Sequence, residues 1–386
     1  MSVTWLRKAA LAGGAAVLCA SAFGNAQPVE SSTQQSDDHP VPVSRYAEAG
    51  IEAAIAHDVP AFVMAFVSSA GVEEFVSHGV VDRQSGEPVV PTTQFQIASL
   101  SKIQTGIIVR NLVLEGKLDL DRPILDYLPD TRDARISENL GSGTVGHLVA
   151  HRSGLPRDTS VITREGNDPL LEPLTSDKLL KDLAIAEMVG TPGETYEYSN
   201  LGYALLGYIA ERVSGMSFDA LHATYVTDQY GMSRTMVHLD EAGEKALATP
   251  YRKEDAFRAT QPWNTGTLVA ASGIFSTPAD LSSLMVAQLN AYRNEDTPEL
   301  DLTDMAISVS EGRSYGFGLN RQEVTLNDVV TPLFYHSGDM DGYAGFYVFQ
   351  PENDRGVVML TTRGGEGADK LRSLAIDYVL HRAPRN

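Results

Sequence analysis

The sequence has one cysteine, few basic residues and no long apolar run, and each scarcity excludes a class of protein. The cysteine, Cys19, lies within the first 26 residues, which we predict are removed during export. Disulfide bonds and cysteine-ligated metals are therefore not expected in the mature chain. Lys and Arg total 30 against 50 Asp and Glu, and the formal net charge is −20. Nucleic acids and anionic membranes are accordingly poor partners.

The amino terminus has the pattern of an export signal. Arg7 and Lys8 precede a stretch of apolar and small residues from Ala9 to about Ala22. We expect cleavage after Ala26 and a periplasmic or secreted protein with no stable membrane anchor. An uncleaved anchor is the alternative, but the stretch is shorter than the ~20 apolar residues that a membrane span needs.

The rest of the chain predicts one catalytic domain at 44–386 after a polar, disordered leader at 27–43. Helical patterns dominate about 97–260, and strand patterns flank them on both sides. The predicted elements are helices at Tyr46–His57, Leu201–Val213 and Ala368–His381, and strands at Ala61–Ser68, Val72–His78, Tyr343–Gln350 and Gly356–Thr362. This order predicts an α/β (α+β) fold, in which helices flank an antiparallel sheet built from both termini and a mainly helical lobe is inserted.

The first candidate motif is Ser99-Leu100-Ser101-Lys102, which opens an apolar helical pattern. If a helix begins near Ser99, the three-residue spacing puts the hydroxyl and the amine on one face, one turn apart. A serine needs an adjacent base to become a nucleophile, and a neutral lysine can serve. The alternative is an ordinary solvated helix start.

The second candidate motif is Tyr198-Ser199-Asn200, before the predicted helix at Leu201–Val213. Tyr198 could relay a proton from Ser99 to a leaving group, with its ionisation eased by a nearby ammonium. The Asn200 amide could hold Lys102 with its oxygen and a substrate carbonyl with its nitrogen. Alternatively, Asn200 is merely the N-cap of that helix, and Tyr198 is a half-buried aromatic residue.

The third candidate motif is His336-Ser337-Gly338, which we place on the approach to the strand at Tyr343–Gln350. Residues at a strand edge could bind substrate, and the backbone N–H of Asp339 could complete an oxyanion hole with that of Ser99. The alternative is a polar turn.

Taken together and in this order, S-x-x-K, Y-x-N and H-x-G resemble the serine β-lactamase and D,D-peptidase (penicillin-binding protein) superfamily, in its class C branch. Flanking segments agree, among them FQIASLSK before and through Lys102, HRSGLP at 151–156, ASGIFSTPADL at 271–281 and YGFGL at 315–319. The likeness spans about residues 45–380. The chain contains no G-x-S-x-G elbow, which argues against an α/β-hydrolase.

The resemblance implies roles for each matching residue. Ser99 would be the acylated serine, Lys102 its general base, Tyr198 the proton shuttle and Asn200 the amide that orients substrate. His336 stands where many β-lactamases have lysine and where related carboxypeptidases and aminopeptidases often have histidine, which disfavours a dedicated β-lactamase.

Two further positions need interpretation. A carboxylate at Asp339 would repel an anionic substrate unless a cation pairs with it, and Arg321 is the candidate cation, with a solvated surface arginine as the alternative. His147 and His151 have the spacing of helical metal ligands, but no third ligand is evident, so we interpret them as packing residues.

The sequence therefore predicts a serine hydrolase that forms an acyl-enzyme from an amide, lactam or ester of a small-molecule or peptide substrate, without cofactor or metal. A D,D-carboxypeptidase-like peptidase is the first expectation and a carboxylesterase on the same fold is the second. A non-catalytic binding or sensor protein on this scaffold is the alternative of another class.

Overall fold

The computed structural model describes residues 41–128, 133–161, 172–293, 297, 300, 307–326 and 328–384. The predicted export signal, and the leader before residue 41, lie outside these ranges. Within them, no helix is long and apolar enough to cross a membrane.

The described strands form one large sheet and two small ones. Their bounds are β1 Ala61–Ser68, β2 Gly71–Gly79, β3 Phe95–Gln96, β4 Tyr251–Arg252, β5 Asp255–Ala259, β6 Phe275–Ser276, β7 Ile307–Ser310, β8 Arg313–Gly316, β9 Leu319–Leu326, β10 Val329–Met340, β11 Tyr343–Gln350 and β12 Arg355–Thr361. The large sheet has eight strands in the order β2-β1-β12-β11-β10-β9-β8-β7. All its pairs are antiparallel. Strands from the two ends of the chain meet at the β1–β12 pair.

Helices fill most of the chain between β2 and β7 and flank the sheet. Their bounds are α1 Val43–Ala56, α2 Ser101–Leu114, α3 Ala134–Leu140, α4 Val145–Val149, α5 Ser176–Ile185, α6 Asn200–Ser214, α7 Phe218–His222, α8 Asp228–Tyr230, α9 Glu241–Ala246, α10 Val269–Ser272, α11 Pro278–Arg293 and α12 Glu366–Val379. Turns of 3₁₀-helix lie at Ala98–Leu100 and Ile124–Tyr127, and a π-helical turn lies at Ala223–Thr227.

The centre of the sheet is buried on both faces, and β1 there is apolar at every position except Ser68. Phe62, Met64 and Phe66 pack with α1 and α12, whereas Val63 and Val67 pack with the helices inserted in the middle of the chain. A continuous apolar run without alternation is what a strand covered on both faces requires. The predicted fold class is confirmed.

Two of the sequence-based expectations need correction. Helix α1 begins at Val43, so the predicted leader runs one residue into it. His336-Ser337-Gly338 lies inside β10 and not on the approach to a strand, because β10 extends from Val329 to Met340 and pairs with β11 through all three residues. This places the third motif on a rigid sheet element.

Candidate active site

The nucleophile candidate, Ser99, lies in the 3₁₀ turn between β3 and α2. Ala98 before it has a φ of 49°, in the left-handed region that non-glycine residues seldom adopt. The buried Ser101 hydroxyl stabilises this turn, since it donates to the Ala98 carbonyl at 2.7 Å and accepts the N–H of Ile274 at 3.1 Å. Helix α2 begins at Ser101, so the start predicted near Ser99 is two residues too early, and Ser99 itself is half-buried on a strained, tightly held turn.

Lys102 is fully buried and reaches three oxygen atoms. Its Nζ lies 3.2 Å from Ser99 Oγ, 2.7 Å from Asn200 Oδ1 and 2.7 Å from the Ala271 carbonyl oxygen. Burial holds the pKa of Lys102 well below its usual value, and the charge of Arg157 lowers it further. A neutral amine has two N–H donors and one lone pair.

The partners of Lys102 decide where that lone pair points. The amide oxygen of Asn200 and the carbonyl oxygen of Ala271 can only accept hydrogen bonds, so they take the two N–H groups. The remaining partner, Ser99, carries a hydroxyl that can donate. The neutral lysine is therefore oriented to accept the proton of Ser99.

Asn200 is the first residue of α6, but it does not cap that helix. The N-cap is Ser199, whose hydroxyl accepts the N–H of Gly202 at 2.8 Å. The Asn200 amide is left for the site, where its oxygen holds Lys102 and its Nδ2 donates to Asp158 Oδ1 at 2.7 Å. One of the two N–H groups of Nδ2 therefore already has a partner, and the predicted bond from Nδ2 to a substrate carbonyl, which would use the other, stays a prediction.

Tyr198 lies between the lysine and the third motif. Its ring centroid is 4.7 Å from Lys102 Nζ, and its hydroxyl is 3.4 Å from His336 Nε2. Burial raises the pKa of Tyr198 well above its usual value, and a hydrogen bond with Ser99 opposes this only in part. The expectation that its ionisation is eased is wrong, because the enclosed phenol is desolvated and the neighbouring lysine is itself driven toward its neutral form.

His336 projects from β10 toward the same group of side chains. It is 2% exposed, and burial, followed by the charge of Lys102, lowers its pKa to about 3. The imidazole is therefore neutral at any ordinary pH. A neutral histidine can hydrogen bond to Tyr198 but offers no positive charge to a substrate.

Gly338 brings β10 into contact with the nucleophile turn. A Cβ on Gly338 would lie 2.6 Å from the Ile97 carbonyl oxygen and 3.3 Å from the Ser99 nitrogen. The β9 strand pairs with β10 only as far as Tyr335, so the following residues have β11 on one side and an open edge on the other. Backbone donors of Ser99 and of this edge are therefore close together, as an oxyanion hole requires. The role of the Asp339 N–H stays a prediction.

The Asp339 carboxylate and Arg321 do not form the predicted pair. Asp339 Oδ1 accepts a hydrogen bond from Arg372 of α12 at 2.7 Å. Because successive side chains of a strand alternate between faces, Asp339 lies on the α12 side of the sheet, opposite to His336. Arg321 lies on β9 opposite Phe334, and its Nη1 is 3.6 Å from Glu323. The expectation that Arg321 compensates Asp339 is wrong. Among the described residues, Ser337 forms no side-chain hydrogen bond with Ser99, Lys102 or Tyr198, and its predicted role in substrate binding stays a prediction.

The two histidines with metal-ligand spacing have separate contacts. His147 Nδ1 accepts the N–H of Thr144 in a capping box at the start of α4. His151 is buried, its Nδ1 accepts the N–H of Ser199 at 3.1 Å, and its ring centroid is 4.3 Å from that of Tyr198. Both histidines therefore have structural contacts, and those of His151 support the Tyr198-Ser199-Asn200 motif.

Sequence reasoning missed Arg157 and Asp158, which directly follow the HRSGLP segment. Besides the bond from Asn200 to Asp158, the Arg157 guanidinium carbon lies 4.8 Å from the Tyr198 ring centroid. The available signal was Pro156, which commonly begins a turn that presents the following polar residues.

The YGFGL segment at 315–319 supports the helix that carries Lys102. It connects β8 to β9, and a Cβ on Gly318 would lie 2.2 Å from the Lys102 carbonyl oxygen. Gly106 of α2 faces the same connection, since its Cβ would lie 2.1 Å from the Phe317 carbonyl oxygen. The segment packs directly on the backbone of α2 and fixes the helix that carries Lys102.

Comparisons with known proteins identify the family of the chain. The family described as Beta-lactamase matches residues 43–380. Protein flp of Staphylococcus aureus strain MW2 is 25% identical over 83% of this chain and 64% of its own length, and a β-lactamase of Providencia stuartii is 26% identical over 77% of this chain and 81% of its own. The chain thus spans just under two thirds of the length of the flp proteins.

Solved structures show the same fold. A class C β-lactamase from Rhodobacter sphaeroides has a TM-score of 0.74 at 21% identity, covering 88% of this chain and 99% of that one. A penicillin-binding protein homologue from Pyrococcus abyssi has a TM-score of 0.74 at 25% identity, covering 89% and 78%. The resemblance predicted from the three motifs is confirmed, and the chain belongs to the Beta-lactamase family, the superfamily of serine β-lactamases and penicillin-binding proteins.

Proposed function

We propose that the chain is an active serine hydrolase that forms an acyl-enzyme at Ser99 and acts on amide or peptide bonds. The observation that carries the proposal is the environment of Lys102, a buried amine whose two acceptor-only partners leave its lone pair to Ser99. A scaffold that only binds ligands has no need of a desolvated lysine beside an accessible hydroxyl.

The chemistry follows from that arrangement. Lys102 takes the proton of Ser99 while Oγ attacks the substrate carbonyl, and backbone N–H groups of Ser99 and of the β10 edge stabilise the oxyanion. Tyr198 stays protonated, so it gives its proton to the leaving group and regains one from the Lys102 ammonium. Water then releases the acyl group, with the same residues acting in reverse.

His336 is the observation that disfavours β-lactams within this class. A lysine at that position would present an ammonium to an anionic substrate, whereas the pKa of His336 is lowered to about 3 and its imidazole is uncharged. We therefore propose a peptidase of the D,D-carboxypeptidase-related type, with a carboxylesterase as the second candidate. The half-buried Ser99 is accessible to either substrate.

Covalent labelling tests the catalytic proposal. The purified protein is incubated with a fluorophosphonate or a fluorescent penicillin, and the intact mass is measured. One adduct is expected on the wild type and on Ser283→Ala, which alters an exposed serine of α11, and none on Ser99→Ala. A wild-type protein without an adduct, or an adduct retained in Ser99→Ala, would refute the proposal.

Turnover of four substrates separates the finer alternatives. Nitrocefin, p-nitrophenyl butyrate, a D-Ala-D-Ala peptide and D-alanine p-nitroanilide are compared by kcat/KM. We expect the peptide or the anilide to be preferred and nitrocefin to be poor. Preferred ester turnover would favour the carboxylesterase, and rapid nitrocefin turnover would contradict the argument from His336.

A further inference from the structure

We propose that Arg157 binds a carboxylate of the substrate and so selects acidic substrates for the Ser99 site. The inference rests on the proposed hydrolase function and adds a specificity-determining residue to it. It follows from the position, the contacts and the exposure of one side chain beside Tyr198.

The backbone of Arg157 is fixed to the start of α6. Its carbonyl oxygen accepts the N–H of Asn200 at 2.7 Å and that of Leu201 at 3.4 Å. Asn200 in turn binds Lys102. Arg157 is therefore held by the same helix start that orients the base, and its distance from the site does not depend on a loose loop.

The guanidinium is held in place but half exposed. It lies 4.8 Å from the Tyr198 ring centroid, a cation–π distance, while 52% of the side-chain surface is accessible. Stacking on an aromatic ring leaves the planar edge of a guanidinium available for hydrogen bonds. The exposed edge of Arg157 therefore lies beside Tyr198, whose hydroxyl hydrogen bonds with Ser99.

Asp158 occupies only part of the donor capacity of Arg157. The Nε atom of Arg157 lies 3.8 Å from Asp158 Oδ2, and the other oxygen of Asp158 already accepts from Asn200. A guanidinium has five N–H donors, so the outer edge, with both terminal nitrogens, can bind a second carboxylate through two parallel hydrogen bonds.

Two of the other groups predicted to meet an anionic substrate carry no charge, and the third, Arg321, lies on β9 opposite Phe334. His336 is neutral, Lys102 is buried and driven toward its neutral form, and Arg321 pairs with Glu323. The formal net charge of the chain is −20, so an anionic substrate needs a local cation to approach Ser99. Arg157 supplies it.

Matched pairs of substrates test the proposal on the full protein. On the acyl side, the p-nitrophenyl monoester of terephthalate is compared with p-nitrophenyl 4-carbamoylbenzoate. On the leaving-group side, 4-acetoxybenzoate is compared with 4-acetoxybenzamide. Each pair differs by a carboxylate against a neutral amide on a rigid ring, and the measured quantity is the ratio of kcat/KM for the anion to that for the amide.

Three variants separate charge from structure. Arg157→Gln keeps the stem and the backbone and removes the charge, Arg157→Lys keeps the charge but not the planar fork, and Arg321→Gln is the matched control. We expect Arg157→Gln to lower the ratio about five- to tenfold in at least one pair, Arg157→Lys to lower it less, and Arg321→Gln to leave it unchanged. The wild-type ratio should also fall as NaCl is raised, because the guanidinium is half exposed.

The outcomes distinguish this inference from the proposed function. If Arg157→Gln lowers kcat/KM equally for the anionic and the amide-substituted substrate, Arg157 has only a structural role and the inference is overturned. An equal fall in the ratio in Arg321→Gln would also overturn it, since the preference would then come from overall charge. If the wild type hydrolyses the amide-substituted esters and shows no preference for the carboxylate-substituted ester of either pair, this inference fails and the proposed hydrolase function stands. If the wild type hydrolyses none of the esters and Ser99 is not labelled, both proposals fail.

Discussion

Placing a methyl group on Gly338 should disable the nucleophile turn without unfolding the protein. The new Cβ would lie 2.6 Å from the Ile97 carbonyl oxygen, 3.2 Å from the Ala98 Cβ and 3.3 Å from the Ser99 nitrogen. Since a carbon and an oxygen normally stay more than 3 Å apart, β10 must withdraw from the turn by roughly half an ångström. The two backbone donors on either side of this contact then move apart.

The magnitude follows from what each displacement does. Overpacking of this kind destabilises a protein by about 1–3 kcal/mol, which a large domain tolerates. Misplacing catalytic groups by about 1 Å can lower a rate about 100-fold, so half of that displacement should lower the acylation rate about tenfold or more. We therefore expect Gly338→Ala to stay folded and to acylate slowly.

Single-turnover labelling by a fluorophosphonate, followed by intact mass, measures the acylation rate, and thermal unfolding checks the fold. Gly364→Ala is the matched control, because its Cβ would meet only Asp339 Oδ1, at 3.8 Å. The double variant Ala98→Gly/Gly338→Ala should not recover, since the limiting contact is with a carbonyl oxygen. A folded Gly338→Ala protein that acylates at the wild-type rate would refute the reasoning.

Two further perturbations test the electrostatics and the anchoring of β10. Because neutral Lys102 is the base, kcat/KM for a neutral substrate should fall as the pH drops through the pKa of Lys102. Arg157→Gln removes a positive charge, so it should raise that pKa and move the acidic limb of the pH profile to higher pH. Asp158→Asn removes a negative charge, so it should lower the pKa and move the acidic limb to lower pH. If the acidic limbs of the wild type and the two variants coincide, or if they shift in the opposite directions, Lys102 is not the base. Removing the nearly buried guanidinium with Arg372→Met should lower the free energy of unfolding in urea by about 2 kcal/mol, less than for a fully buried pair because its partner carboxylates are partly exposed. Removing the exposed ion pair with Arg122→Met should lower the free energy of unfolding much less than Arg372→Met does, and equal effects of the two variants would show that Arg372 does not anchor the strand.

The sequence predicted those elements whose residues carry a local pattern. Strands β1 and β11 were located with their observed bounds, because both are apolar runs ended by turn residues. Strand β10 was missed because Pro332 and Gly338 both weaken a strand pattern. Its pairing with β9 and β11 overrides that weakness, and no local signal reveals such pairing.

The candidate site divides in the same way. Ser99, Lys102, Tyr198 and Asn200 could be singled out because their chemistry depends on spacings of two and three residues. The partner of Asn200 could not, because Asp158 is 42 positions away in the chain and reaches it only through the fold. The misassigned pairing of Asp339 has the same cause.

Burial disfavours the charged forms of Lys102, His336 and Tyr198 alike, and the residue type decides whether the pKa falls or rises. Desolvation disfavours charge, so it lowers the pKa values of Lys102 and His336 and raises that of Tyr198. Lowered to about 3, the pKa of His336 leaves a poor proton acceptor, and the phenol of Tyr198 becomes a firmly protonated donor. Lysine starts from a pKa of 10.5, and the same desolvation lowers that pKa and so frees the lone pair of the amine. Enclosing these three side chains together is therefore enough to make Lys102 the base, Tyr198 the proton relay and His336 a neutral hydrogen-bond partner.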